Sequence, residues 1–219
     1  MTKQQPDPLS QRLAACYTGV LHDVMRAAGM RNFVLPRQIH PLDATTRLAG
    51  PVFTVEGQPT PAPAHDTLRA WTNLLSRAPS GHVLVIQPND HHAAFMGELS
   101  AETLQYKGLT GALVDGGCRD TAFILELGFP VWCRHTTPVD VVGYWLPEHF
   151  GQPVVIGEVT LHTGDYLCAD RDGAIVLPGA LADEIVREAE TAIGKENKVR
   201  TAILAGVDPQ QAYLQHGKF

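Results

Sequence analysis

The chain has 219 residues, of which 44% are hydrophobic and 18% are charged, and its formal net charge is −6. This composition is typical of a globular protein and excludes a largely disordered chain, which would contain too few apolar side chains to form a core. The acidic balance argues against nucleic acid as the main partner, because phosphate backbones are bound by basic surfaces.

The cysteines and the N-terminal residues bear on the cellular compartment. Cys16, Cys118, Cys133 and Cys168 are scattered and form no CxxC pair, which favours reduced thiols over a disulfide framework or a zinc knuckle. Residues 1–10 are polar and lack the apolar stretch of a secretory signal. No apolar run approaches the roughly 20 residues that a membrane span requires. We therefore expect a cytoplasmic protein without a membrane partner.

The first part of the chain alternates predicted helices and strands. After an arm at residues 1–9, apolar spacing over 10–29 predicts a helix with Ser10 as N-cap and Gly29 just beyond its end, which residues 18–19 could split. The next predicted elements are a strand at 48–57, a helix at 66–77, a strand at 81–89, a helix at 95–108, a strand at 109–115, a helix at 120–128 and a strand at 129–134. The last five form a β-α-β-α-β pattern, which favours a parallel sheet with ligand sites at the carboxyl ends of its strands.

The second part of the chain is predicted to be β-rich and to end in a long helix. Short β-rich pieces separated by Gly, Pro and Asp turns favour a compact antiparallel or barrel-like region; they lie at 139–143, 153–159, 165–170 and 174–177. A helix predicted at 181–204 has an acidic start and basic later turns, as the helix dipole favours. We expect one α/β domain at 10–205, a tail at 206–219, and a C-terminal helix that is free to cover a neighbouring subunit.

One turn carries the strongest chemical signal. The apolar strand 108–115 leads into Gly116-Gly117 and then into Arg119-Asp120. Adjacent glycines let the backbone approach a ligand closely. The arginine offers a fork for a carboxylate, and the aspartate offers a ligand for a hard cation. Twenty residues separate Glu98 from Arg119, and the intervening helix and strand would return the chain so that Glu98 and Asp120 meet.

Ordinary structural roles compete with the site interpretation. Arg119-Asp120 could be a surface ion pair at a helix start, and Glu98 a first-turn helix acid. His91 and His92 could bind a distal substrate carboxylate, although loop histidines usually have no chemical role. Asp115 could simply end a strand, or its carboxylate could accept hydrogen bonds from the backbone amides of the turn. Cys118 suits packing, because the sequence indicates no histidine base beside it.

These motifs resemble the RraA-like family, which includes the 4-hydroxy-4-methyl-2-oxoglutarate and 4-carboxy-4-hydroxy-2-oxoadipate aldolases. The resemblance covers roughly residues 12–205 and rests on Gly97-Glu98-Leu99, on 108–120, 127–132 and Thr137-Pro138, and on 153–178. It implies an α/β fold of the swivelling β/β/α type: a single domain with a central parallel βαβ core, a smaller β-rich region and a C-terminal helix.

The resemblance also implies a site that contains a divalent metal, Mg²⁺ or Mn²⁺. Asp120 would bind the metal directly and Glu98 through a water, while Arg119 would bind the carboxylate or keto oxygen of a 2-oxo acid. The substrate-binding set would comprise Arg119, Gly97, Leu99 and Ser100. A further acid would reach the metal shell through a water from the C-terminal helix of a neighbouring subunit, with Glu196 as the best match and Glu190 as the alternative. The active sites of a homotrimer or homohexamer would thus lie between subunits.

The implied activity is that of a class II aldolase or decarboxylase. Cleavage of a C–C bond next to a keto acid leaves an enolate, whose charge a chelated dication stabilises. Oxaloacetate decarboxylation gives the same pyruvate enolate. One alternative is a family regulator that binds an RNA-degrading endonuclease, although such regulators lack the aspartate after the arginine. Another is a lyase for a different acid, because residues 135–150 and 212–219 depart from the aldolases.

Overall fold

The computed structural model describes residues 7–217, so residues 1–6 of the predicted arm and 218–219 of the predicted tail lie outside the described part. The helices are α1 (Pro8–Ala15), α2 (Thr18–Ala27), α3 (Ala64–Arg77), α4 (Glu98–Tyr106), α5 (Thr121–Leu127), α6 (Ala182–Leu204) and α7 (Pro209–His216), with a 3-10 turn at Gly179–Leu181. The strands are β1 (His40–Pro41), β2 (Leu48–Pro59), β3 (Val83–Gln87), β4 (Gly111–Val114), β5 (Gly117–Cys118), β6 (Val131–Cys133), β7 (His135–Thr136), β8 (Trp145–Phe150), β9 (Val154–Ile156), β10 (Val159–Leu161), β11 (Tyr166–Asp170) and β12 (Gly173–Leu177).

A mixed sheet with a parallel centre organises these elements. Its strands follow the order β1-β6-β4-β3-β2-β11-β12, and β2, β3, β4 and β6 pair in parallel. Antiparallel strands lie at both edges. The long strand β2 pairs through its first half with β11 and through its second half with β8. The predicted parallel β-α-β-α-β core is therefore confirmed.

The core consists of layers on the two faces of the sheet. Every residue of β3 is buried, as expected for a central parallel strand that is covered on both sides. Leu84 and Ile86 lie in an apolar cluster with residues of α3, α4 and α5. Val83 and Val85 lie in a second cluster with the β9–β10 hairpin. This gives a hairpin layer, a sheet layer and a helix layer, in agreement with the predicted β/β/α type.

The N-terminal helix is split, and its caps differ in part from the prediction. Asp7, not Ser10, is the N-cap of α1, since its carboxylate accepts the backbone N–H of Ser10 at 3.0 Å. The break lies just before Thr18, whose N–H and hydroxyl both donate to the buried carboxylate of Asp170. Gly29 follows α2 with φ +78°, and its N–H donates to the backbone carbonyl of Arg26 at 3.0 Å. Its predicted position beyond the helix end is confirmed.

The predicted β-rich second half is confirmed only in part. The strand predicted at 139–143 is wrong. This segment forms a loop and a turn, from which the apolar side chain of Val141 is buried. The strand β8 that follows was not predicted; the Trp145 indole N–H anchors it by donating to the Pro88 carbonyl at 2.8 Å. The predicted strand 153–159 is the hairpin β9–β10. Strands β8, β11 and β12 extend the central sheet and do not form a separate barrel.

The C-terminal part is helical. Helix α6 matches the helix predicted at 181–204, and α7 lies within the segment that we assigned to the tail. The first helix is anchored to α6 by Arg12, which pairs with Asp183 at 2.6 Å and with Glu190 at 2.7 Å. Among residues 7–217, no helix has both the length and the apolar composition to cross a bilayer.

Candidate active site

A cleft of about 370 Å³ brings four segments of the chain together. They are α3, the start of α4, the turn between β5 and α5, and the loop that precedes β8. All six residues that the sequence assigns to substrate, metal or catalysis in this subunit line the cleft: Gly97, Glu98, Leu99, Ser100, Arg119 and Asp120. The structure thus brings together the set that the sequence selects, while the role of each residue stays a prediction.

Backbone hydrogen bonds hold the segment before α4 against the Gly-Gly turn. The Phe95 N–H donates to the Gly117 carbonyl at 2.9 Å, and the Arg119 N–H donates to the Met96 carbonyl at 2.9 Å. The helix was predicted to begin at residue 95. Because residues 94–96 pair with the turn in this way, α4 begins three residues later, at Glu98. This pairing places the first turn of α4 beside Arg119-Asp120.

Asp120 has an unusual backbone and directs its side chain away from its own helix. Its φ is +55°, in the left-handed region that residues other than glycine seldom occupy. It occupies the N-cap position of α5, yet its carboxylate makes no capping bond there. Its Oδ2 instead accepts the backbone N–H of Glu98 at 3.3 Å. The carboxylate therefore connects the starts of α4 and α5 inside the cleft.

The start of α4 supplies backbone donors to the same cleft. The first amides of a helix have no intrahelical partner and attract anions. Gly97 precedes them in an extended conformation without a side-chain cap. A Cβ atom at Gly97 would lie 2.8 Å from Asp120 Oδ2 and 3.3 Å from Arg119 Cγ. Glycine at this position therefore lets the two side chains lie this close to the backbone before α4.

Arg119 lies between two carboxylates. Its Nε is 3.4 Å from Asp120 Oδ2, and its Nη1 is 3.1 Å from Asp140 Oδ2. Asp140 also accepts the N–H of Val141 at 2.6 Å, which fixes its carboxylate within the loop. Sequence reasoning missed Asp140, because a single acid in an irregular loop has no spacing that links it to the motif.

The cleft is lined by oxygen donors of the type that hard divalent cations prefer. Glu98, Asp120 and Asp140 contribute carboxylate oxygens, which Mg²⁺ and Mn²⁺ prefer. In residues 7–217, no group of three or more His, Cys, Asp or Glu side chains is close enough to hold a metal ion. A closed zinc site of four protein ligands is thus not formed by the described residues, whereas Mg²⁺ usually binds through one or two carboxylates and retains waters.

The two α6 acids expected to reach a neighbouring subunit bond within this subunit and do not line the cleft. Glu190 accepts the Nε of Arg12 at 2.9 Å. Glu196 accepts the hydroxyl of Tyr17. Burial and this hydrogen bond raise the pKa of Tyr17 to about 12. The role of Glu190 or Glu196 in a neighbour's site stays a prediction.

Asp115 and Cys118 lie close to the motif in sequence but do not line the cleft. Asp115 is 3% exposed and pairs with Arg134 Nε at 2.5 Å. His91 Nε2 lies 3.8 Å from the same carboxylate. The Asp115 carboxylate thus accepts from side chains, here Gln87 Nε2 at 3.0 Å and Arg134 Nε, and not from the turn amides that the sequence suggested. A hydrogen bond to Cys133 and burial together raise the pKa of Cys118, so that it remains a thiol.

Most of the chain matches a model of a known protein family. Residues 18–176 match the family described as RraA-like, Aldolase/RraA. The chain belongs to the RraA-like family. The resemblance inferred from residues 97–99 and 108–120 is thereby confirmed, and with it the predicted fold.

Proteins that are similar to this chain have different names. A protein of Halalkalibacterium halodurans named "Putative 4-hydroxy-4-methyl-2-oxoglutarate aldolase" is 25% identical over 181 residues, 83% of each chain. Protein DlpA of Legionella pneumophila is 26% identical over 205 residues, which are 93% of this chain but 33% of DlpA. The structure of Streptomyces coelicolor RraAS2, described as an unusual member of the RNase ES inhibitor RraA protein family, has a TM-score of 0.79 and 30% identity, covering 90% of this chain and 98% of RraAS2.

Proposed function

We propose that this RraA-like protein is a divalent-metal-dependent carbon–carbon lyase that releases pyruvate from a 2-oxo acid. The substrates would be a compound like 4-hydroxy-4-methyl-2-oxoglutarate, cleaved as in an aldolase, or oxaloacetate, which loses CO₂. The observation that carries the proposal is the meeting of Arg119, Asp120 and the first turn of α4 in one cleft.

The side chains suggest how a pyruvoyl group would be held. The guanidinium of Arg119 would bind the carboxylate or the adjacent keto oxygen with its planar fork. Amides at Leu99 and Ser100, in the first turn of α4, would bind the carboxylate as helix N-termini bind anions. Together these donors would fix the substrate at the polar part of the cleft and orient the bond to be cleaved.

The carboxylates would serve the metal and the proton transfer. Asp120 would hold Mg²⁺ or Mn²⁺, assisted by Glu98 through a water. The bound ion would supply Lewis-acid stabilisation of the negative charge that develops on the substrate during cleavage. Glu98 is also the candidate base that accepts the proton of the substrate's 4-hydroxyl group, directly or through a water.

The test is pyruvate release from 4-hydroxy-4-methyl-2-oxoglutarate and from oxaloacetate in magnesium buffer. We expect EDTA to abolish both reactions, Mg²⁺ or Mn²⁺ to restore them, and Asp120→Ala to lower kcat/KM by about 100-fold or more, as loss of a charge-stabilising group does. Asp172→Ala is the matched control, because Asp172 is exposed and does not line the cleft. Unchanged rates after EDTA treatment and in Asp120→Ala would show that the proposed metal role is wrong.

The proposal includes a homotrimer or homohexamer in which α6 of one subunit completes the site of the next. Light scattering would give the assembly size. If Glu196 assists a neighbour's metal, Glu196→Gln should raise the Mg²⁺ concentration needed for half-maximal activity, and Glu190→Gln should not. The opposite result would assign the role to Glu190.

A non-catalytic regulator is the second candidate, because RraAS2 is described within a family of RNase inhibitors. The aspartate after Arg119 favours the lyase. An RNA-cleavage assay in which this protein inhibits the endonuclease, together with no pyruvate release, would reverse the ranking.

A further inference from the structure

The lining of the cleft that is not part of the polar motif is largely apolar. It is contributed by α3 and by the loop before β8, and includes Leu68, Trp71, Val141 and Val142. If the polar motif holds the pyruvoyl half of a substrate, this second part of the lining is the surface that this subunit offers to the rest of that substrate. We call these four residues the apolar wall.

The few polar side-chain atoms in and beside the apolar wall already have partners within the protein. The indole N–H of Trp71 donates to the Ser100 hydroxyl at 2.9 Å. The hydroxyl of Thr67, which also lines the cleft, donates to the Ala64 carbonyl at 2.9 Å and accepts the Gly143 N–H at 3.1 Å. With these side-chain atoms used, the wall presents mainly carbon surface to a ligand.

The apolar wall is also held in place before any ligand binds. The ring of Trp71 packs edge-on against Trp145 with a centroid distance of 5.9 Å, and Trp145 packs against Phe95 at 5.2 Å. The Thr67–Gly143 hydrogen bond fixes the loop to α3. A preformed apolar surface of this kind is typical of small-molecule sites, where it supplies binding energy while a few polar groups give orientation.

The charges of the cleft disfavour a second anionic group on the substrate. Among the described residues that line it, Arg119 is the sole cationic side chain, against the carboxylates of Glu98, Asp120 and Asp140. One guanidinium and three carboxylates give a formal charge of −2. The proposed divalent cation would bring this charge to zero, and it would be engaged by the pyruvoyl half of the substrate. Arg119 is already paired with two of these acids. A second substrate carboxylate at the apolar wall would lose water without gaining a cation, which is costly.

We infer that the natural substrate carries an uncharged, apolar group beyond its pyruvoyl half, and that the apolar wall selects it over a second carboxylate. The inference rests on the proposed function and deepens it by naming the substrate class: 4-hydroxy-2-oxo acids with an aliphatic or aromatic substituent at C4. In the reaction, the C3–C4 bond breaks and the 4-hydroxyl group gives up its proton. C4 becomes the carbonyl carbon of an aldehyde or ketone, and C3 keeps the electron pair and is protonated to give the methyl group of pyruvate.

The experiment compares matched substrates with the full chain in magnesium buffer. We expect kcat/KM for 4-hydroxy-2-oxo-4-phenylbutanoate or 4-hydroxy-2-oxoheptanoate to exceed that for 4-hydroxy-4-methyl-2-oxoglutarate at least tenfold. Leu68→Arg adds a cation at a position that is 49% exposed, where the fold tolerates it, and should shift the ratio toward the dicarboxylate at least tenfold. Leu68→Gln is the matched control, since it makes the wall polar without adding charge, and should give a smaller shift.

A second measurement separates this inference from the proposed function. Exchange of the pyruvate methyl protons with deuterated water, followed by NMR, requires enolate formation but no group beyond C3. Exchange together with a preference for the dicarboxylate would overturn the apolar substrate class and leave the lyase standing. Absence of both exchange and cleavage would overturn the lyase and this inference with it. Exchange, the apolar preference and the Leu68→Arg reversal would support both.

Discussion

Replacement of Gly97 by alanine perturbs the candidate site chiefly at one contact, that with the Asp120 carboxylate. The backbone of Gly97 is extended, with φ −148° and ψ 179°, so alanine can adopt it without strain. The new Cβ would lie 2.8 Å from Asp120 Oδ2, whereas ordinary contact begins at 3.4 Å. The carboxylate oxygen therefore has to move by about 0.6 Å, the difference between these two distances.

The size of the effect on activity follows from this displacement. A misplacement of about 1 Å in a catalytic group can cost about 100-fold in rate, so a shift of 0.6 Å should lower kcat/KM about tenfold. This corresponds to about 1.4 kcal/mol in the activation free energy. The free energy of unfolding should fall by only about 1 kcal/mol, because alanine is a poorer N-cap than glycine while the Asp120 side chain is 40% exposed and free to move.

The assay pairs pyruvate release with thermal unfolding of the same preparations. A loss of about 1 kcal/mol in a chain of this size lowers Tm by roughly 2–4 °C. Gly19→Ala is the matched control, because the nearest atom to its added Cβ, Tyr17 Cδ2, lies at an ordinary 3.5 Å; it should keep full activity. Wild-type kcat/KM in Gly97→Ala would refute the argument that this contact sets the position of Asp120. A fall in Tm of 10 °C or more would instead assign the glycine to folding.

Three further predictions concern other contacts. Asp140→Ala removes the partner that anchors the guanidinium of Arg119 through Nη1, so KM should rise about three- to tenfold with a smaller change in kcat; a fall in KM would mean that Asp140 competes with the substrate. Partial burial raises the pKa of Asp90, but backbone hydrogen bonds and the Tyr144 hydroxyl outweigh it and hold the pKa below the ordinary 3.8. Its contribution to stability is therefore complete above about pH 4 and lost as the pH falls through the lower folded-state pKa, so acid titration of unfolding should be flatter in Asp90→Asn. Asp7→Ala removes the N-cap of α1 and should lower the free energy of unfolding by about 1 kcal/mol, measured by urea denaturation.

The polar part of the site could be predicted because chain order determines it. A strand, a helix and a parallel strand return the chain to the same edge of the sheet, so a motif after β4 meets residues at the start of the preceding helix. Gly97, Glu98, Arg119 and Asp120 lie together for this reason. The continuous apolar run of β3, which is buried on both faces, likewise made the parallel core predictable.

The apolar wall could not be predicted, because it depends on contacts that leave no periodic pattern. Trp71 is distant in sequence from the motif, and Asp140 and Val142 belong to a loop whose apolar residues imitate a strand. The error at 139–143 and the omission of β8 have the same origin, since long-range packing by Trp145 overrides the local pattern. The N-cap prediction at Ser10 failed for a more local reason. Asp7, three residues earlier, accepts the backbone N–H groups of Leu9 and Ser10 and is the actual cap.

The left-handed backbone at Asp120 sets the requirements of folding and of the site against each other at one position. Folding alone would favour glycine there, since a side chain in this conformation costs on the order of 1 kcal/mol. The Asp120 carboxylate does not offset that cost by capping α5. Selection for stability alone would therefore tend to replace Asp120 by glycine. Retention of the carboxylate across related proteins would indicate that selection also acts on the chemistry of the cleft.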